Sequence, residues 1–291
     1  MITRSLGPGA PEVSAVGFGG MPLSLGGRPS EAQAISVIHA ALEAGMTLID
    51  TADVYCLDDH DIGHNERLIA KALAGWSGDR DSIIVATKGG MTRPDGRWEY
   101  NGHPDHLRTA CERSLKALGV ERLDLYQHHV PDPDVPFTDS VGALAELQRE
   151  GKVRWVGLSN VSVAQIEVAR ERVEVVTVQN RLNPFFREAL ETGVVKHCSD
   201  NGIGFLAYSP VGGGRLNKKL PGHPVVRRIA ERHGVSAHAV VLSWVLGRGP
   251  AVIVIPGSRT VQHAVDAAGA ADVVLEDEEV RAIDAAEFST A

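Results

Sequence analysis

Cysteine is scarce: Cys56, Cys111 and Cys198 are the only three in a chain of 291 residues. An odd, scattered set supports neither a disulfide framework nor a zinc ribbon. Aromatic residues reach only 5%, and no apolar run approaches the roughly 20 residues needed to cross a bilayer. The opening Met1-Ile2-Thr3-Arg4-Ser5 lacks the apolar core of a signal peptide. These absences set the expectation of a cytoplasmic protein with no membrane partner. Positive charge is in deficit as well, 29 Lys and Arg against 37 Asp and Glu for a net charge of -8. That balance disfavours nonspecific nucleic-acid binding but leaves room for a local basic phosphate site. No G-x-G-x-x-G follows the early strands, which disfavours a Rossmann dinucleotide domain.

What the chain does contain is a regular alternation of patterns, with 43% hydrophobic and 23% charged residues, enough to bury a large core. Two short alternating segments, 1–6 and 12–16, flank Gly7-Pro8-Gly9-Ala10-Pro11 and read as a hairpin. Strand patterns follow at 16–21, 48–52, 82–88, 123–129, 153–159, 175–179, 204–209 and 251–256. Helical patterns separate them at 31–44, 66–74, 105–118, 140–148, 163–171 and 189–199, with a helical pair within 225–246 and a last helix over 276–286. Eight strands with intervening helices predict a closed (β/α)8 TIM barrel of the α/β class, one domain over 1–291, with an N-terminal β-hairpin and a C-terminal extra helix.

Several strands end in one polar or ionisable group. Leu48-Ile49-Asp50 runs on to Tyr55, Ile83 to Thr87 ends in Lys88, and Leu123 to Gln127 ends in His128-His129. Barrels place chemistry at the C-terminal ends of their strands. Taken singly, each residue has an ordinary role: a solvated lysine, a packed tyrosine, an aspartate capping a turn. Their conjunction, in order and on successive strand ends, resembles the aldo-keto reductases, a family whose tetrad maps onto Asp50, Tyr55, Lys88 and His129. Within the family pattern His129 takes the tetrad position and His128 is a packing residue or a pocket wall.

The resemblance implies a bacterial-type member with a short C-terminal loop that uses NADPH/NADP+ to reduce a small-molecule aldehyde or ketone. Tyr55 is then the general acid, with its pKa brought down by Lys88, which Asp50 holds, and His129 orients the substrate carbonyl. It further implies that Ser159, Asn160 and Gln179 hold the nicotinamide carboxamide and that Tyr208 stacks on its ring. Ser209, Pro210 and Gly212 follow towards the pyrophosphate, and Gly257, Ser258, Arg259, Gln262, His263 and Asp266 lie at the adenosine end. Gly20 and Met21 end the first barrel strand, where the glycines mark either a close approach to the cofactor or a tight turn. The quaternary expectation is a monomer or weak homo-oligomer.

Two features depart from the family pattern. An insertion, Cys56 to His64, precedes Asn65-Glu66, and Ala267 stands where the family has an adenine-binding asparagine. Asp58, Asp59, His60, Asp61 and His64 keep a metal-dependent barrel hydrolase or isomerase as a competing reading, although no metal site is expected. A nucleotide-holding barrel with slow or no turnover is the other. Specificity belongs to the loops at 56–64, 91–103 and 131–139, where Trp98 and Tyr100 either stack on a ring or sugar or pin their own loop down.

Overall fold

The computed structural model describes residues 1–291. The strands are β1 (Thr3–Ser5), β2 (Glu12–Ser14), β3 (Phe18–Gly19), β4 (Leu48–Asp50), β5 (Ile84–Gly89), β6 (Met91–Thr92), β7 (Glu99–Tyr100), β8 (Leu123–His128), β9 (Val153–Ser159), β10 (Val175–Arg181), β11 (Gly204–Tyr208) and β12 (Val252–Val254). The helices are α1 (Glu31–Glu43), α2 (His64–Ala74), α3 (Pro104–Leu118), α4 (Phe137–Arg149), α5 (Val163–Arg170), α6 (Glu188–Glu191), α7 (Val194–Asp200), α8 (Gly213–Leu216), α9 (Pro224–His233), α10 (Ala237–Leu246), α11 (Val261–Gly269) and α12 (Asp277–Ala285).

Eight parallel strands form one sheet in the order β12-β11-β10-β9-β8-β5-β4-β3. The sheet curls until β3 meets β12 through the parallel bridges Val16↔Val254 and Gly19↔Gly257. Gly17 and Gly19 donate across that seam to Val254 and Pro256 at 2.8 and 3.0 Å. A side chain at Gly19 would lie 2.7 Å from the Ile255 carbonyl oxygen. The glycines of the first barrel strand therefore permit barrel closure. At Gly20 the crowding group is Asn65 Oδ1, 2.5 Å from where a Cβ would stand, so a side chain there would collide with α2.

The hairpin β1-β2 stoppers one end of the barrel. Its Leu6 and Val13 join Leu48, Ile84, Leu125, Trp155, Val176, Leu206, Ile253 and Ile255 in a buried cluster inside the strands. A larger cluster fills the space between strands and helices. Helix starts follow local chemistry: Ser30 with Gln33 and Ser162 with Gln165 make capping boxes, and each such cap contributes about 1 kcal/mol. Gly119 and Gly234 end α3 and α9 in the left-handed region.

Two expectations need correction. The helix expected at 189–199 is broken at Gly193, φ 77°, into α6 and α7. The stretch expected to be loop at 91–103 contains the antiparallel hairpin β6-β7, with Met91 opposite Tyr100.

Candidate active site

Asp50 closes β4, Lys88 is the penultimate residue of β5, and His129 immediately follows β8. Because three neighbouring strands end at one level, these side chains converge with Tyr55. Lys88 is fully buried, and its ammonium donates to Asp50 Oδ1 at 2.7 Å, the Thr51 carbonyl at 2.8 Å and the Tyr55 hydroxyl oxygen at 3.1 Å. An ammonium has three protons, and each has an acceptor. Asp50 Oδ2 in turn accepts from Gln179 at 2.7 Å and Gln127 at 3.4 Å. A buried ion pair is tolerable when its remaining lone pairs are satisfied in this way.

The electrostatics differ from expectation at Tyr55. Burial pushes its pKa above the ordinary tyrosine value, and the Lys88 ammonium opposes that rise without cancelling it. For Lys88, burial pulls downward, but Asp50 and Tyr55 outweigh it and hold the amine protonated. His129 lies well below the usual histidine range because of burial, with Lys88 and His128 adding to the effect. It is therefore a neutral imidazole. Its Nδ1 is sealed without a partner, while the ring, edge-on to Tyr55 with centroids 5.9 Å apart, lines the cavity. His128 is fully buried, lies outside the cavity lining, and packs on Phe137 at 5.9 Å, the packing role of the two considered.

The cavity measures about 1200 Å³ and opens at the C-terminal ends of the strands. Met21, Ser159, Asn160, Gln179, Tyr208, Ser209, Pro210, Gly257, Ser258, Arg259, His263 and Asp266 all line it together with Asp50, Tyr55 and His129. Gly20, Gly212 and Gln262 do not; Gly19, Gly213 and Gly214 take the glycine positions, and Gln262 is exposed on α11. Sequence reading missed Gln127 behind Asp50, and Leu25, Asn217, Lys218, His238 and Leu242 in the wall. Gln127 lies inside β8 and His238 and Leu242 on α10, so these residues sit in regular elements whose patterns mark a strand or a helix without marking which of their side chains face the cavity.

Backbone strain is concentrated on this wall. Asn160 and Ser209, after β9 and β11, hold φ values of 58° and 48°, in the left-handed region that costs non-glycine residues about 1 kcal/mol or more. Side chains fix both: Asn160 Nδ2 donates to the His129 carbonyl at 3.0 Å, its Oδ1 accepts from the Tyr208 hydroxyl at 2.8 Å, and Asn183 Nδ2 donates to the Ser209 carbonyl at 2.9 Å. Arg259 bridges backwards, donating to the carbonyls of Pro22 and Gly26 at 3.0 and 2.9 Å.

The acidic insertion behaves as a tied-down loop. Asp61 pairs with Arg28 at 2.6 Å, Asp58 accepts from the His60 amide, and the His64 ring meets Ser24 Oγ at 2.8 Å. No three His, Cys, Asp or Glu side chains in the chain converge on one point.

Such an arrangement can deliver a phenolic proton beside a neutral imidazole at one end of a long cleft whose other end carries cations. The model of the Aldo/keto reductase family matches residues 15–287. Aldo-keto reductase str7 of Strobilurus tenacellus is 32% identical over 97% of this chain and 90% of its own length. Among solved structures, the glycerol dehydrogenase of Gluconobacter oxydans superposes with a TM-score of 0.84 at 29% identity, covering 97% of this chain and 94% of that one. An aldo/keto reductase from Klebsiella pneumoniae, in complex with NADP and acetate, gives 0.81 at 28% with the same coverage. With the family model covering nearly the whole chain and the barrel and its strand-end cluster in place, this chain belongs to the aldo/keto reductase family.

Proposed function

We propose that this single barrel domain is an NADPH-dependent reductase that converts an aldehyde or ketone to the alcohol. The residues present suit a dinucleotide. The cavity has room for more than a small substrate, its glycines Gly213 and Gly214 border it closely, and Lys218, Arg259 and His263 supply cationic or basic groups at the end away from Tyr55. Ser258, 95% buried, and Arg259 suit the 2′-phosphate that separates NADPH from NADH. A bound nicotinamide supplies the hydride.

The chain's own residues do the rest. The observation that carries the reading is the direction of the Lys88 to Tyr55 hydrogen bond. Because Lys88 donates to the phenol oxygen, the phenol's own proton is left for an acceptor in the cavity, where a substrate oxygen would sit. As that proton leaves, the ammonium at 3.1 Å stabilises the phenolate. Asp50, braced by Gln179 and Gln127, keeps Lys88 charged and in place. The neutral His129 offers one N–H to the same substrate oxygen and, being uncharged, does not compete as the acid. Asn160 ties the His129 backbone to Tyr208, so the substrate-orienting and ring-stacking sides are set by one residue.

The test is NADPH consumption, followed by fluorescence, against a panel of aldehydes, ketones and sugars. Turnover that survives exhaustive chelation is expected. Nucleotide binding with no turnover across the panel would instead favour the holding protein, and activity lost on chelation and restored by zinc would bring back the metal-dependent reading.

A further inference from the structure

The substrate end of the cleft is neutral and aromatic, and one of its walls stands on a buried charge. Around Tyr55 the packed neighbours are Ala52, Val54, Met91, Ile62 and Val130. Trp98, immediately before β7, meets Tyr55 edge-on with centroids 6.5 Å apart and lines the cavity, as does Tyr100 at the end of β7.

Trp98 is 43% exposed, which for an isolated loop aromatic would leave it free to swing. Arg93 removes that freedom. Its guanidinium lies 3.9 Å from the Trp98 ring centroid, it is only 6% exposed, and no carboxylate comes within 4.0 Å of it. Nη2 donates to the Leu57 carbonyl at 2.9 Å, whereas Nε and Nη1 are sealed with no partner. An unpaired buried cation is costly, and the indole face is what compensates it. One face of Trp98 is thereby pinned on Arg93.

We propose that Trp98, held on Arg93, is the specificity-determining platform of this site and that it selects neutral carbonyl compounds bearing a flat aryl group. The inference rests on the carbonyl-reductase reading above. A cation on one face of an indole weakens attraction for a second cation on the other, which disfavours positively charged substrates. Anionic substrates find no free cation: the protons of Lys88 are all engaged, the spare nitrogens of Arg93 lie beneath Trp98, and Lys218 and Arg259 belong to the segments after β11 and β12. A neutral ring, stacked or edge-on, is the complement that remains.

Removing the indole has a directional consequence, because it uncovers two unsatisfied guanidinium nitrogens. The experiment compares kcat and KM for benzaldehyde, butanal and succinic semialdehyde in the NADPH-supplied enzyme. The unaltered protein should favour benzaldehyde over the semialdehyde by about tenfold or more in kcat/KM. Trp98→Ala should lower the benzaldehyde-to-butanal ratio by about tenfold, mainly through KM, and raise the semialdehyde-to-butanal ratio. That rise should vanish in Trp98→Ala/Arg93→Met, and Trp98→Phe should restore most of the aryl preference. Should truncation to alanine unfold the hairpin, Trp98→Leu keeps an apolar side chain there, removes the ring and reads the same ratio. Equal efficiency on all three aldehydes in the unaltered protein, a uniform loss in the tryptophan variants, or a semialdehyde gain that persists without Arg93 would each overturn the platform alone. A protein that binds NADPH and turns over none of the three would overturn the reductase reading itself.

Discussion

Tyr55 and Lys88 behave as one titrating unit, and their chemistry was only half legible in the sequence. Residue types in order on successive strand ends, matched to the family pattern, brought the tetrad forward, although each of them taken singly has an ordinary role. Burial was not legible, and burial is what raises Tyr55 above the ordinary phenol range despite Lys88. Gln127 gave no signal either, since a glutamine inside a strand looks like any polar strand residue until Asp50 is seen to need a second donor. Two outcomes follow at this scale. Tyr55→Phe keeps the ring and deletes the acid, so carbonyl reduction should fall by roughly 10²-fold or more while NADPH still binds, as steady-state rates and nucleotide titration will show. In the unaltered protein the reductive rate needs the protonated phenol, which persists until pH passes its raised pKa. Reduction should therefore stay level through neutral pH and decline only in strongly alkaline buffer. A decline centred below about pH 9 would place a different group in the acid's role.

Among the elements, those with a full period of hydrophobicity were readable and those too short to show one were not. The eight barrel strands and the long helices α1, α3 and α4 came from repeating patterns and caps. The two-residue strands β6 and β7 have no periodicity to read, yet β7 carries Tyr100 and Trp98 immediately precedes it. The segment after β12 illustrates another limit. Sequence placed Arg259 at a phosphate site, and the structure shows its Nε and Nη2 already joined to the Pro22 and Gly26 carbonyls of the loop after β3. Under the proposed function, phosphate recognition by this arginine would be coupled to the position of that loop. We expect NADPH to bind more tightly than NADH by roughly ten- to hundredfold, the range that one charge-assisted contact to phosphate provides. Arg259→Ala should narrow the gap mainly by weakening NADPH, with any effect on NADH limited to what the freed loop contributes. Tryptophan fluorescence quenching measures both dissociation constants. Equal affinities in the unaltered protein would remove Arg259 from phosphate recognition.

At the scale of the whole molecule, the barrel stores acid sensitivity in a histidine that does no chemistry. His128 is fully buried beside Phe137, neither ring nitrogen has a partner, and burial pushes its pKa down to about 4, with Asp132 pulling weakly the other way. In the unfolded chain a histidine titrates near 6.5. Below that pH the unfolded state binds a proton that the folded state refuses, so stability is present in full above the unfolded value and is lost as pH falls towards the folded one. The gap between 6.5 and about 4 corresponds to about 3 kcal/mol. Asp53 and Glu66 work in the opposite sense over part of this range. Burial raises both carboxyls, with Glu66 adding to the effect at Asp53 and Thr87 opposing it at Glu66, so the fold binds their protons more readily than the unfolded chain. The net slope of the unaltered protein therefore mixes both signs. His128→Met isolates the histidine, because an unbranched side chain can fill the site without a titrating group and the carboxyls are common to both proteins. Urea unfolding from about pH 7 to about pH 4 should show the unaltered protein losing about 3 kcal/mol more than the variant. Parallel stability curves for the two would mean that His128 finds a proton partner in the fold and that the acid sensitivity resides elsewhere.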